Sequence, residues 1–121
     1  ISDAIPLQKS VLDGNRKNIV VMTKEVGFVR KPATQLPLIR MRYLKYPKVA
    51  ELMENRHINY NQQTAYIENM QKSGKAFVRP KRAGNVGRIE KDVKKLKALY
   101  REGYEDAASC YEELMKYLKE E

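Results

Sequence analysis

Ile19-Val20-Val21-Met22-Thr23 is the stretch on which the fold turns. It is short, rich in β-branched residues, and apolar without alternation. Such a run fits a strand buried on both faces, as in a parallel sheet. A second short run, Ala76-Phe77-Val78-Arg79, closed by Pro80, also has strand composition. The residues between the two runs read mostly as helix. Parallel neighbours need a crossover of that kind, and it should be right-handed. The expected fold is therefore α/β and dominated by helix, with short parallel strands near 19–23 and 76–79 in one sheet. Two strands do not make a stable parallel sheet, because both faces and both edges need cover. The pattern reads as part of a larger sheet.

Outward from the strands, Leu7 to Leu12 can form a short helix closed at Asp13-Gly14, where glycine supplies left-handed geometry. Residues 24–35 carry Gly27, Pro32 and four charges, and read as an irregular loop. Pro37 fits the first turn of a helix, and Leu38, Met41 and Leu44 follow at i, i+3, i+6. A second helix starts at Pro47, with Val49, Leu52 and Met53 on one face. A third is capped at Asn59 or Asn61, carries Tyr60, Thr64, Ile67 and Met70 inward, and ends at Gly74. Residues 81–88 form a basic, glycine-containing loop. Residues 89–121 read as a terminal helical pair interrupted at Gly103. Its first stripe is Val93, Leu96, Leu99 and Tyr100; its second runs from Tyr104 to Leu118.

The chain has 121 residues, enough for about one domain. At 42% hydrophobic residues it can build a small core. One cysteine excludes an intramolecular disulfide framework, and one histidine excludes a histidine-rich metal centre. The longest unbroken apolar run, Ile19 to Met22, falls far short of the roughly 20 residues of a membrane-spanning helix. Ile1-Ser2-Asp3-Ala4-Ile5-Pro6 lacks the basic and apolar regions of a signal peptide. Opening in mid-motif, it suggests an excised piece. The net charge is +9, and it is unevenly spread. Residues 1–88 hold 17 Lys/Arg against 6 Asp/Glu, while residues 89–121 hold 7 against 9. A basic body of this kind suits an anionic partner such as a lipid surface or nucleic acid; it equally describes a solvated basic surface.

Candidate chemistry is sparse. None of Ser2, Ser10, Ser73 and Ser109 has the flanking glycines of a G-x-S-x-G nucleophile elbow. Cys110 sits among the stripe residues of the last helix and reads as a small buried residue. His57, in Asn55-Arg56-His57-Ile58, reads as a polar or capping residue between helices. Gly84-Asn85-Val86-Gly87 lacks the Gly-Lys-Ser/Thr ending of a phosphate loop. Glu112-Glu113 and Glu120-Glu121 read as solvated helix charges. Tyr43, Tyr46, Tyr60 and Tyr66 lie near Arg40, Arg42 and Arg56; they read as packing residues rather than a base-stacking platform. No catalytic, cofactor-binding or metal-ligating residue is assigned.

Several segments, in order, carry a family resemblance. Asp3-Ala4-Ile5-Pro6 and then Ile19-Val20-Val21 resemble the region just after the Asp-Gly-Gly motif of patatin-like phospholipases. Gly27-Phe28-Val29-Arg30-Lys31-Pro32, Arg42-Tyr43-Leu44-Lys45-Tyr46-Pro47 and Asn55-Arg56-His57-Ile58-Asn59-Tyr60-Asn61 are similar to the segments that come next in a bacterial branch of that family. Phe77-Val78-Arg79-Pro80, Arg88-Ile89-Glu90-Lys91-Asp92 and Leu99-Tyr100-Arg101-Glu102-Gly103-Tyr104 complete the likeness. The resemblance covers nearly the whole of residues 1–121 and implies a single C-terminal region of a larger patatin-like chain. It implies a parent that hydrolyses lipid acyl esters with a Ser–Asp dyad and a glycine-rich oxyanion loop. All of those would lie upstream of Ile1, so Asp3 is not the dyad aspartate and this chain alone should be inactive.

The partners implied are the upstream catalytic domain and an anionic lipid surface, with no specific nucleic acid and no cofactor. An isolated piece can also hide its incomplete sheet edge by self-association. The location implied is cytoplasmic and peripheral to the membrane. The competing classes are a small basic nucleic-acid-binding module and a protein-interaction domain using the 93–118 helices. Against the first, Phe77-Val78-Arg79 is too short for an aromatic RNA-binding strand, and no recognition helix is evident.

Overall fold

The computed structural model describes residues 4–25, 27–79, 86–87 and 89–120. Among them the order of elements is α1 (Leu7–Leu12), β1 (Asn18–Val21), α2 (Leu36–Arg42), α3 (Pro47–Glu54), α4 (Arg56–Lys72), β2 (Ala76–Arg79), α5 (Val93–Ser109) and α6 (Tyr111–Lys119). The two strands pair in parallel, with Ile19 opposite Phe77 and Val21 opposite Arg79. The helix-dominated α/β architecture expected from the sequence is present. Strand β2 has the expected bounds. β1 begins one residue earlier than expected and ends at Val21, although the Met22 N–H still donates to the Arg79 carbonyl at 2.6 Å.

The core lies on one face of this sheet. Leu7 of α1, Val20, Met22, Ala76 and Val78 from the strands, and Ile67 of α4 form one buried cluster. Tyr66 and Met70 of α4 and Val11 of α1 pack at its margin. Tyr60 and Ile67, seven residues apart, bury one face of α4 as the helical period requires. Gly74, at φ +71°, takes the left-handed conformation that ends α4 and turns the chain into β2. Gly14 does the same after α1. Between α1 and β1, the Ser10 hydroxyl donates to Asn18 Oδ1 at 2.6 Å, and Asn18 Nδ2 donates to the Asn15 carbonyl. Asn18 is thereby buried with its polar groups partnered.

Several local expectations need correction. β1 is not buried on both faces: Ile19 is 48% and Val21 78% exposed, while β2 is buried along its length. The cause is coverage: α6 sits over the β2 side of that face and leaves the β1 side bare. Leu38 and Met41 of α2, and Leu44 just beyond it, face solvent, and no residue of that helix is buried. The helix packs along α3, which does not cover those residues. α4 starts at Arg56 rather than behind an Asn59 or Asn61 cap, and its N-cap Asn55 makes no side-chain cap bond. Gly103 does not interrupt the terminal pair. α5 runs through it and breaks at Cys110. The cap of α5 is Asp92, whose side chain accepts from the Lys94 N–H at 2.9 Å. Pro80 and all of the 81–88 loop except residues 86–87 lie outside the described residues.

Candidate functional site

Three arrangements organise the polar chemistry of the chain. The first lies under α6, on the sheet face away from the core. Phe77 and Arg79 share that face, two residues apart along β2. The Arg79 guanidinium stacks on the Phe77 ring at 4.3 Å, donates to the Val78 carbonyl, and pairs with Glu113 Oε2 at 2.5 Å. Tyr117, four residues beyond Glu113 and so on the same side of α6, packs against Phe77 with ring centroids 5.8 Å apart. Its hydroxyl accepts from the Asn18 N–H at 3.1 Å. Lys17 Nζ donates to the carbonyls of Tyr117 and Leu118, both at 2.8 Å, which satisfies carbonyls at the helix C-terminus. These contacts clamp the end of the chain to the sheet. Every charged group in the clamp has a protein partner, so its role is structural.

The second arrangement fastens the loop before α2 to α4. Asn61 Oδ1 accepts from the Arg30 N–H at 2.8 Å, and Asn61 Nδ2 donates to the Arg30 carbonyl at 3.1 Å. The Arg30 guanidinium lies 4.6 Å from the Tyr60 ring, and Phe28 meets the same ring edge-on. The third is the outward surface of α2. Leu38 and Met41 line an open groove with Ile39, Arg42 and Tyr43, and Leu44 and Tyr46 continue the exposed surface. Arg40 reaches back from α2 to α3, donating to both carboxylate oxygens of Glu54, at 2.5 and 3.1 Å. Those hydrogen bonds hold the Glu54 carboxyl below its ordinary range and raise the Arg40 guanidinium above its own.

The candidate residues from the sequence disperse among these elements. His57 Nδ1 sits 3.0 Å from the Glu54 carbonyl, bridging α3 and α4 as a polar residue between helices. Cys110 is buried at the α5–α6 break, its thiol turned to the Ala107 carbonyl. Ser10 binds Asn18, while Ser73 and Ser109 each donate to a carbonyl three residues back. Ser2 lies outside the described residues, as do Gly84 and Asn85. Gly87 has open space around it. The four tyrosines form no common platform: Tyr60 is buried under Arg30, Tyr66 packs on the core, and Tyr46 is exposed. Glu113 is not simply a solvated charge, because it holds Arg79. Among the described residues no group of three His, Cys, Asp or Glu side chains could hold a metal ion.

Sequence reasoning missed Arg30 and the Arg79–Glu113 pair. The i+2 spacing of Phe77 and Arg79 puts the two on one strand face, but nothing in it points to Glu113 as the partner. Arg30 lay in a loop and gave no periodic signal.

Residues 46–119 match the model of a family described as Domain of unknown function (DUF6363). The chain belongs to that family. No curated protein and no solved structure matches it. The DUF6363 segment takes in α3, α4, β2, α5 and α6, whereas α1, β1 and α2 precede it. The strand that β2 pairs with, Lys17 of the clamp, and Arg40 opposite Glu54 therefore all come from residues before the matched segment.

Proposed function

We propose that this chain is the C-terminal region of a patatin-like lipid acyl hydrolase, a cytoplasmic protein peripheral to the membrane. In this reading it completes and covers the sheet of the parent enzyme and contacts anionic lipid, while the serine, the aspartate and the oxyanion donors lie upstream. The observation that carries the reading is the half-bare sheet. β2 is buried on both faces, but neighbouring β1 leaves Ile19 and Val21 in solvent and presents an unpaired edge among the described residues. A parallel pair of four-residue strands needs further strands and further cover. An upstream α/β body would supply both. The ordered likeness of segments from Asp3 to Tyr104 supports the same assignment, and the basic body suits an anionic surface. No described helix is long and apolar enough to cross a membrane, which accords with peripheral contact.

The test is the coding sequence upstream of Ile1 together with an assay. Asp-Gly-Gly just before Ile1 and G-x-S-x-G further back are expected. Hydrolysis of p-nitrophenyl esters should be absent for residues 1–121 and present for the longer chain. An inactive longer chain carrying neither motif overturns the hydrolase reading. A second reading, a protein-interaction module, is favoured by one observation: α5 has no buried residue and bears exposed Val93, Leu96, Tyr100 and Tyr104.

A further inference from the structure

The exposed series on α2 has a composition that suits one kind of partner. From Arg30 to Ala50 the chain carries six basic residues and no acidic one. Arg40 is held by Glu54 and Arg30 is stacked on Tyr60, while Lys31, Arg42, Lys45 and Lys48 have no protein partner among the described residues. Among these cations stand Leu38, Met41 and Leu44, exposed by 57, 63 and 76%. Tyr46, also exposed, and half-buried Tyr43 lie beside them. Apolar side chains ringed by lysine and arginine are the composition of segments that lie in a membrane interface. Tyrosine is enriched at that depth because its ring is apolar and its hydroxyl is wet. A protein interface of the same size would be depleted in lysine. The Arg40–Glu54 bridge ties α2 to α3, so the exposed surface is carried on a braced helix.

We propose that residues 36–48, α2 with the turn into α3, are the element that seats this chain on an anionic lipid surface. Leu38, Met41 and Leu44 enter the boundary of the acyl chains, and Arg42, Lys45 and Lys48 meet headgroup phosphates. The inference rests on the lipid-surface part of the function proposed above and assigns that contact to named residues.

Co-sedimentation of the whole chain with phosphatidylglycerol/phosphatidylcholine vesicles, and with phosphatidylcholine alone, tests it. Binding to the anionic vesicles only is expected. Leu38→Ser/Met41→Ser/Leu44→Ser should weaken it by about tenfold or more. Arg42→Gln/Lys45→Gln/Lys48→Gln should weaken it by about fivefold per charge. Removing the same charge from α5, by Lys94→Gln/Lys95→Gln/Lys97→Gln, should change it much less. All of these residues are exposed, and a thermal melt by circular dichroism checks that each variant folds. The chain has no tryptophan, so Tyr46→Trp gives a clean probe. Its fluorescence should shift to the blue on anionic vesicles and be quenched by brominated acyl chains. Bound protein whose indole is not quenched, or equal losses for the α2 and α5 charge variants with no loss for the serine variant, overturns this assignment and leaves diffuse lipid contact standing. Absence of any binding by the unaltered chain overturns the lipid contact itself.

Discussion

α4 and α5 have the same length, seventeen residues each, and opposite surroundings. α4 is poor in charge, lies against β2, and buries Tyr60 and Ile67. α5 has the more regular apolar stripe, from Val93 through Leu96 and Tyr100 to Tyr104, yet buries none of it. A stripe shows which face of a helix can be covered; the position of the helix in the fold decides whether it is. In this chain the short α6 takes the place over the sheet. It does so with one ion pair, one aromatic contact and a lysine on its terminal carbonyls.

The largest expected difference between the two helices is in the cost of truncation. Ile67, 3% exposed, lies among Leu7, Val20 and Val78. Ile67→Ala should cost about 2–5 kcal/mol in urea unfolding. Leu99→Ala on α5 should stay within about 0.5 kcal/mol. A cost for Leu99→Ala comparable to that at Ile67 would mean that α5 is covered in solution.

Next in size is the clamp. Glu113→Gln weakens the hold on a guanidinium that is nearly buried, although Glu113 itself is largely exposed. A loss of about 1–2 kcal/mol is expected. Hydrogen exchange should show it locally: α6 amides should lose protection while α4 amides keep theirs. Uniform loss across both helices would show instead that the clamp is part of one cooperative unit with the core.

Glycines sharpen the comparison further. A Cβ at Gly103 in α5 would meet nothing within 4 Å, and its backbone is helical. Gly103→Ala should therefore stabilise α5 by about 0.5–1 kcal/mol, seen as increased ellipticity or a higher melting temperature. Gly74 also has open space, but at φ +71° alanine is strained, and Gly74→Ala should have the opposite sign.

The smallest effect is expected at Arg40–Glu54, an exposed pair. Glu54 has a lowered folded-state pKa, so its contribution is present above the unfolded carboxyl pKa. It is lost as pH falls through the folded value. The stability gap between the unaltered chain and Glu54→Gln should close over that acidic window and shrink with added salt. A gap that persists when the carboxyl is protonated would assign the effect to packing of the arginine stem.

Much of the architecture was legible locally. Leu7–Leu12, Ala76–Arg79, the prolines opening α2 and α3, and Gly74 after α4 all arise from short-range chemistry that the surroundings do not override. What the sequence left out was direction. The spacing of Leu38, Met41 and Leu44 is compatible with either a buried or an exposed helix face, and only the position of α3 decides between them. Asn61 resembled a helix cap, but it binds the backbone of Arg30 thirty-one residues away. Gly103 is a helix-breaking residue type at a site where the surrounding lysines, leucines and alanines propagate the helix through it. The Arg79–Glu113 pair joins positions thirty-four apart and has no local signature.

Lys17 and Tyr117 are one hundred residues apart in sequence and in contact in the fold. At a synthesis rate of about 5–20 residues per second, the strand beside Lys17 leaves the ribosome about 5–20 s before the helix that will latch it. Over that interval β1 has neither α6 nor, for much of it, β2. The Ile-Val-Val segment of an emerging chain therefore stays without its partner strand until β2 has been made, which makes this stretch the natural point of capture for a chaperone or for whatever has already folded ahead of it.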